Sequence, residues 1–200
     1  METIVTPGEI ISENASKVSN AFIQNGRTYS NVLGIYKSDS NEIIPLEGAW
    51  EPRVDDSVVG IVTEVKPKVY IVDVSYFGNG LIIPGKYENY EFKIGDVVNA
   101  VINDIEGKKT IILKDPQQLK GGNVINIRPK KIPRVIGKKS TMIKQIADST
   151  GTHIVVGMNG MIWINGVNAP LATKALLKIE NEAHVKGLTD VIKRFLEEAK

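Results

Sequence analysis

Short apolar runs, broken every few residues by Gly, Pro, Asn or charge, fill the first 120 positions; helical spacing sets in only after them. Within residues 1–52 the stretches Glu9–Ile11, Ala21–Ile23, Thr28–Tyr36 and Glu42–Leu46 read as strands, separated by Asn25-Gly26 and the polar turn Lys37–Asn41. Tyr29, Val32 and Ile35 keep their stretch apolar without a helical period, so this piece is expected to be a small all-β domain ending near Glu51-Pro52. Residues 53–118 carry the clearest β pattern: Val58–Val65, Val69–Val74, Gly80–Ile83, Asp96–Ile105 and Thr110–Lys114, rich in β-branched side chains. Lys66-Pro67, Gly78-Asn79-Gly80 and Glu106-Gly107 break them. Five short strands in so little chain predict a five-stranded closed barrel of the OB type, an architecture that binds oligonucleotides on one face.

The period changes in residues 119–200. A strand over Asn123–Ile127 precedes Pro133, suited to the first turn of a helix. Ile143, Ile146 and Ala147 then repeat at helical spacing. Thr152–Val156 and Met161–Asn165 form an alternating pair joined by Gly157-Met158-Asn159-Gly160, read as a tight hairpin with its Asn-Gly left-handed. Two helical stretches follow, Leu171–Lys186 with Gly187 just past its end, and another after the candidate N-cap Thr189. The order β-α-loop-α-β-β-α defines an α+β domain, making the chain multidomain.

Composition is that of an ordinary globular protein, 42% hydrophobic and 24% charged. No cysteine means no disulfide and no thiolate metal site. The N-terminus METIVTPGEI lacks a charged-then-apolar leader pattern, and no apolar run approaches a membrane span, so a cytoplasmic, soluble protein is expected. The net charge of +2 hides an asymmetry. Residues 1–119 hold 11 Lys/Arg against 17 Asp/Glu, a net of −6; residues 120–200 hold 14 against 6, a net of +8. Lys120, Arg128, Lys130, Lys131, Arg134, Lys138, Lys139 and Lys144 follow one another with no acidic residue between them. Such a run favours polyanions, because neutralising phosphates releases condensed counterions.

The run contains the loop Gly137-Lys138-Lys139-Ser140. A nucleotide-binding P-loop needs G-x-x-x-x-G-K-[ST], but the first glycine position holds Ile132 and the hydroxyl position holds Lys139. The other phosphate-binding arrangement is a G-x-x-G turn between two helices, which clamps about four nucleotides beside an apolar groove. Gly137 allows close approach of a backbone, Lys138 and Lys139 meet phosphates, and the helix from about Thr141 offers its N–H groups. Ile136, Ile143 and Ile154 are candidate groove walls, and Ser140 stands where a second glycine would complete the turn, its hydroxyl placed to cap the next helix.

Around this loop the chain is similar to a known family. Residues about 122–200, with IPRVIGKKSTMIKQI, HIVVGMNGMIWING and EAHVKGLTD as the most specific elements of the whole match, resemble a KH domain of type I; VVGIVTEV, YIVDVSYFGNGLIIPG and IGDVVNAVINDIE resemble an S1-type OB-fold. With a β domain beginning TPGEII ahead of them, the order resembles that of the RNA-binding cap subunits of archaeal RNA exosomes. The resemblance implies a ring-docking domain over 1–52, an S1-type domain over 53–118 and a KH domain over 119–200. It implies a non-catalytic subunit for RNA degradation and processing that binds single-stranded RNA with low sequence specificity. Three copies would sit on a hexameric ring of RNase PH-like subunits and guide the RNA 3′ end towards phosphorolytic 3′→5′ degradation. A free-standing RNA-binding protein of translation or ribosome assembly is the alternative that the same modules allow.

The RNA-contact set expected in the last domain is Arg134, Ile136, Gly137, Lys138, Lys139, Ser140 and Lys144, with Gly157, Asn159 and Gly160 of the cap-type G-x-N-G. In the barrel it is Lys66, Lys68, Tyr70, Tyr76, Phe77 and Lys114, aromatics for base stacking and cations for phosphates. Trp50 and Trp163 read as packing residues, Trp163 because it alternates with Ile162 and Ile164. No catalytic constellation, cofactor motif or metal site is evident. His153 and His184 lack partners at ligand spacing, Asp55-Asp56 reads as a turn, and Asp73, Asp96, Asp104 and Asp115 are scattered over the barrel.

Overall fold

The computed structural model describes residues 2–85, 89–107, 110–183, 185 and 187–198. Its first part holds β1 (Glu2–Val5), β2 (Ile10–Ser12), β3 (Ala21–Gln24), β4 (Arg27–Ser30), β5 (Gly34–Lys37) and β6 (Glu42–Pro45). They form two three-stranded sheets, ordered β1-β5-β6 and β2-β4-β3. Asn25 and Gly26 both take positive φ, 51° and 76°, as a two-residue hairpin turn with the right twist demands. The stretch Thr28–Tyr36, expected as one strand, is two. The Ser30 hydroxyl donates to the Val32 carbonyl at 2.7 Å and accepts from the Val32 N–H at 3.3 Å. This local turn sends the chain from one sheet to the other. β1 was not anticipated; its partner β5 supplies the ladder that four residues alone do not announce.

The middle part is a closed barrel of β7 (Ser57–Lys66), β8 (Val69–Asp73), β9 (Asn79–Ile82), β10 (Val97–Glu106) and β11 (Thr110–Leu119), in the order β10-β11-β9-β8-β7. Val58, Val62, Val72, Ile82, Val98, Ala100, Ile102, Ile111 and Leu113 fill its interior. Register shifts at Val62/Glu64, Asn99/Val101 and Ile102/Asp104 bend the strands enough to close. β11 continues five residues beyond Lys114, through Pro116. Opposite Ala100, Asp115 (φ 51°) and Pro116 form a bulge, which accommodates a residue with no N–H to give the ladder.

The last part runs β12 (Asn123–Asn126), a 3-10 turn Pro129–Lys131, α1 (Ile132–Ile136), a second 3-10 turn Lys138–Ser140, α2 (Thr141–Thr150), β13 (His153–Val156), β14 (Met161–Asn165), α3 (Ala169–Asn181) and α4 (Leu188–Glu198). The sheet is antiparallel, ordered β12-β14-β13. Its central strand is buried on both faces: Ile162 and Ile164 join the helical core of Val135, Ile146, Leu176 and Ile192, while Met161 and Trp163 pack on Val59 of the barrel. α3 begins two residues before the expected Leu171, with Pro170 in its first turn, and ends at Asn181. The expected end at Lys186 lies outside the described residues, as does His184. α4 starts at Leu188, so Thr189 is inside the helix rather than its cap.

Candidate nucleic-acid interface

The loop between α1 and α2 is shaped by positive φ at three of its four residues. Gly137 has φ 74° and ψ 173°, and a Cβ there would stand 2.6 Å from the Met142 Cβ. Glycine is therefore required at this position by α2 itself, whatever the loop binds. Lys139 and Ser140 follow at φ 53° and 61°, two left-handed non-glycine residues in succession. Ser140 makes no side-chain cap to α2, contrary to expectation; the left-handed backbone turns its hydroxyl away from that role. Thr141 ties the turn instead, its hydroxyl donating to the Lys138 carbonyl at 2.8 Å. The result projects Lys138 and Lys139 into solvent. Ile136, Ile143, Ile154 and Val156 are half-buried, seated on the helical core with one side left open. They place an apolar strip along α1, α2 and the edge strand β13, beside the loop.

Gly157, Asn159 and Gly160 occupy a different place. Asn159 is only 2% exposed. Its Nδ2 donates to the carbonyls of Val59 (2.7 Å) and Val74 (2.9 Å), and its Oδ1 accepts the Val59 N–H at 3.3 Å. β7 and β8 pair only from Ile61↔Asp73 onward, so Val59 and Val74 lie where that ladder has opened. The Asn159 amide fills the gap as a surrogate peptide group. Met158 N–H adds a bond to the Ser57 carbonyl at 2.8 Å. A Cβ on Gly157 would meet the Asn159 Oδ1 at 2.1 Å and the Val59 nitrogen at 2.6 Å. Only Gly160 of the hairpin is left-handed (φ 94°); Asn159 is not, because its side chain rather than its backbone fixes the turn. These three residues thus build the joint to the barrel, and the Asn159 amide is fully engaged there rather than open to RNA.

Lys120, just past β11, stands apart, and from Arg128 onward the basic run divides in two. Arg128 pairs with Glu47 at 2.8 Å and Glu180 at 3.5 Å, and Lys130 faces Glu51 at 3.8 Å. Lys131, 8% exposed, donates to the Glu180 carbonyl at the end of α3 at 2.9 Å. Arg128 and Lys130 thus hold the first and last parts of the chain together, and Lys131 ties the turn before α1 to the end of α3. Arg134, Lys138, Lys139 and Lys144 make no ion pair among the described residues, and all lie on α1, the loop or α2. Acids far off in sequence, Glu47, Glu51 and Glu180, decide the division, and a basic run inspected alone gives no sign of it.

The barrel set is not one cluster. Lys66, paired with Glu64 at 3.0 Å, and Lys68 lie at the β7–β8 hairpin. Tyr70 is half-buried on Phe92 (5.3 Å, edge-on) with its hydroxyl bonded to the Tyr90 carbonyl. Tyr76 and Phe77 follow the other end of β8, on the order of 20 Å from the hairpin at the usual strand rise. Lys114 pairs with Asp55 at 3.0 Å. Phe77 is 90% exposed. Among the described residues no three His, Asp or Glu side chains gather as a metal site, and no helix is long and apolar enough to cross a membrane.

Comparison with known proteins agrees with this layout. Residues 2–47 match the model of the exosome RNA binding protein RRP4 N-terminal domain, and residues 122–170 match the KH domain model. Exosome complex component Rrp4 of Methanosarcina acetivorans is 39% identical over 96% of this chain and 81% of its own length. The Rrp4 of Pyrococcus horikoshii is 36% identical (96% and 82%), and that of Methanothermus fervidus 36% (96% and 94%). A crystal structure described as an exosome complex RNA-binding protein superposes with a TM-score of 0.66 at 26% identity, covering 76% of this chain and 97% of that one. With relatives this similar along nearly its whole length, the chain belongs to the Rrp4 family of exosome complex components.

Proposed function

We propose that this chain is the non-catalytic RNA-binding cap subunit of a cytoplasmic exosome, holding single-stranded RNA with low sequence specificity and guiding its 3′ end into an RNase PH-like phosphorolytic ring. The observation that carries the reading is the gathering of Arg134, Lys138, Lys139 and Lys144, unpaired, around the left-handed loop beside an apolar strip. We assign residues 1–52 to ring docking, 53–118 to an S1-type OB-fold and 119–200 to a type I KH domain. In the KH domain the phosphate contacts fall to Gly137, Lys138, Lys139 and Ser140 with Arg134 and Lys144, and Ile136 lines the base groove. In the barrel Lys66, Lys68 and Tyr70 serve one end, Tyr76 and Phe77 the other, and Lys114 the wall between.

Docking has a candidate surface on the sheet β2-β4-β3. Ile10, Tyr29 and Phe22 stand in one cross-strand row, Phe22 stacked on Tyr29 at 5.4 Å, with Ile10 and Phe22 each more than 40% exposed. An exposed apolar row of this kind marks a protein contact. Three copies per hexameric ring is the proposed stoichiometry. Affinity capture of the chain from its native lysate is expected to bring down RNase PH-like subunits; a chain that elutes alone and monomeric from that lysate overturns the assignment. Labelled RNA incubated with the pure chain, with Mg²⁺ or with phosphate, is expected to keep its length.

A further inference from the structure

We propose that the cavity framed by Ala49, Trp50, Ser75, Tyr76, Phe77 and Pro129 is a base-binding subsite for single-stranded RNA, on the path between barrel and KH loop. The inference rests on the RNA-binding reading above and adds a site contributed by all three parts of the chain.

Four observations meet in this cavity. Its volume of about 420 Å³ suits a small planar ligand, and no charged side chain lines it. Phe77 stands at its rim, 90% exposed, meeting Tyr76 edge-on at 6.2 Å; Tyr76 in turn meets Trp50 edge-on at 5.7 Å. A phenyl ring held out in water contributes nothing to the barrel core, but it offers a stacking face that any base can use. Trp50 is 8% exposed, and its indole N–H is the one buried side-chain polar atom among the described residues with no hydrogen-bond partner. Buried donors normally find an acceptor, and a base edge supplies one here once the Trp50 ring turns towards it on binding, a movement that its emission reads.

The surroundings set the direction of the strand. A second cavity of about 240 Å³ shares the Trp50–Pro129 wall. Its lining sets Glu51 and Asp56 against Arg53 and Lys130, with Lys130 facing Glu51 at 3.8 Å and Asp56 accepting the Arg53 backbone N–H at 3.1 Å. That balance leaves no net charge for a phosphate, so the base belongs in the uncharged cavity. Pro133 also lines the second cavity, and Arg134, one of the unpaired cations of the loop group, is next in sequence. A strand whose base sits on Phe77 thus leads along α1 to Lys138 and Lys139. The ion pairs Arg128–Glu47 and Lys130–Glu51 flank Pro129 on one stretch of chain and Trp50 on the other, joining the two segments that frame the cavity.

The test uses the full chain and short oligouridylate. Phe77→Ala is expected to weaken binding about 5- to 150-fold, the range for losing one stacked base, with Phe77→Tyr restoring it. Because Phe77 is exposed, its removal leaves the fold intact, which thermal unfolding verifies. Tryptophan emission of the wild type is expected to be quenched on saturation, and the quench to vanish in Trp50→Phe while Trp163 still emits. Wild-type affinity in Phe77→Ala, or an unresponsive Trp50 emission, with RNA still held through Lys138 and Lys139, overturns the subsite and leaves the RNA-binding reading standing. Absence of oligouridylate binding by the wild type overturns that reading itself.

Discussion

At the scale of single residues, the loop 137–140 contains one requirement and one compromise. Gly137 is required because its φ of 74° and the Met142 Cβ at 2.6 Å leave no room for a side chain. Ser140 is a compromise, a β-carbon carried in a left-handed conformation without the compensation of a cap. Ser140→Gly is therefore expected to stabilise the chain by about 0.5–1 kcal/mol, and Gly137→Ala to destabilise it by at least about 1–2 kcal/mol; urea midpoints at constant slope measure both. If backbone approach limits the clamp, Ser140→Gly also tightens RNA binding in a filter assay. The loop itself was legible in the sequence, since Gly-Lys-Lys-Ser and the helical spacing behind it are local features. The role of Ser140 was not, because capping depends on a backbone angle that a sequence does not display. Nor was that of Asn159: its three partners, on Val59 and Val74, lie 100 and 85 residues away.

At the scale of elements, the strands of the barrel and the order of the last domain followed from periodicity and turn residues, because each is set by neighbours. The errors fall where a side chain's own hydrogen bond or the register of a partner strand overrides the apolar pattern. Thr28–Tyr36 reads as one apolar run but divides at a serine turn, and β11 passes through Pro116 because a bulge opposite Ala100 accommodates it. The hairpin 157–160 is the element on which the joint between barrel and KH domain depends. Asn159→Ala leaves the Val59 N–H and the Val59 and Val74 carbonyls buried without partners, at a cost of about 2–4 kcal/mol. Asn159→Asp is expected to cost more, since a carboxylate has no N–H to give the two carbonyls and faces them with its charge. Unfolding followed by tryptophan emission in a Trp50→Phe background tests this: the seam residue Trp163 should respond at lower urea than the circular dichroism of the barrel and helices. Coincident transitions at the wild-type midpoint contradict the role given to Asn159.

At the scale of the whole molecule, the division of charge and of apolar surface assigns different work to the two ends. The acidic first part offers Glu47 and Glu51 to Arg128 and Lys130, so part of the basic excess is consumed in holding the chain together. What is left for phosphates is the group around the loop. Lys138→Glu with Lys139→Glu is expected to weaken RNA binding by a similar factor for all sequences. Loss of two single-strand phosphate contacts should make the slope of log K against log salt shallower by about 1.4. At the other end, Ile10, Tyr29 and Phe22 present apolar surface with no charge to steer it. Its removal should act on assembly and leave RNA untouched. Phe22→Asp, at an exposed position, is expected to keep the melting temperature and oligonucleotide affinity of the isolated chain while abolishing co-elution with the ring subunits. The lysine reversals are expected to do the converse, retaining co-elution and losing RNA. Should Phe22→Asp chains still co-elute at wild-type levels, the docking surface lies elsewhere on the first part of the chain. Exposed Ile4 on β1, an edge strand of the other sheet, is then the next position to alter.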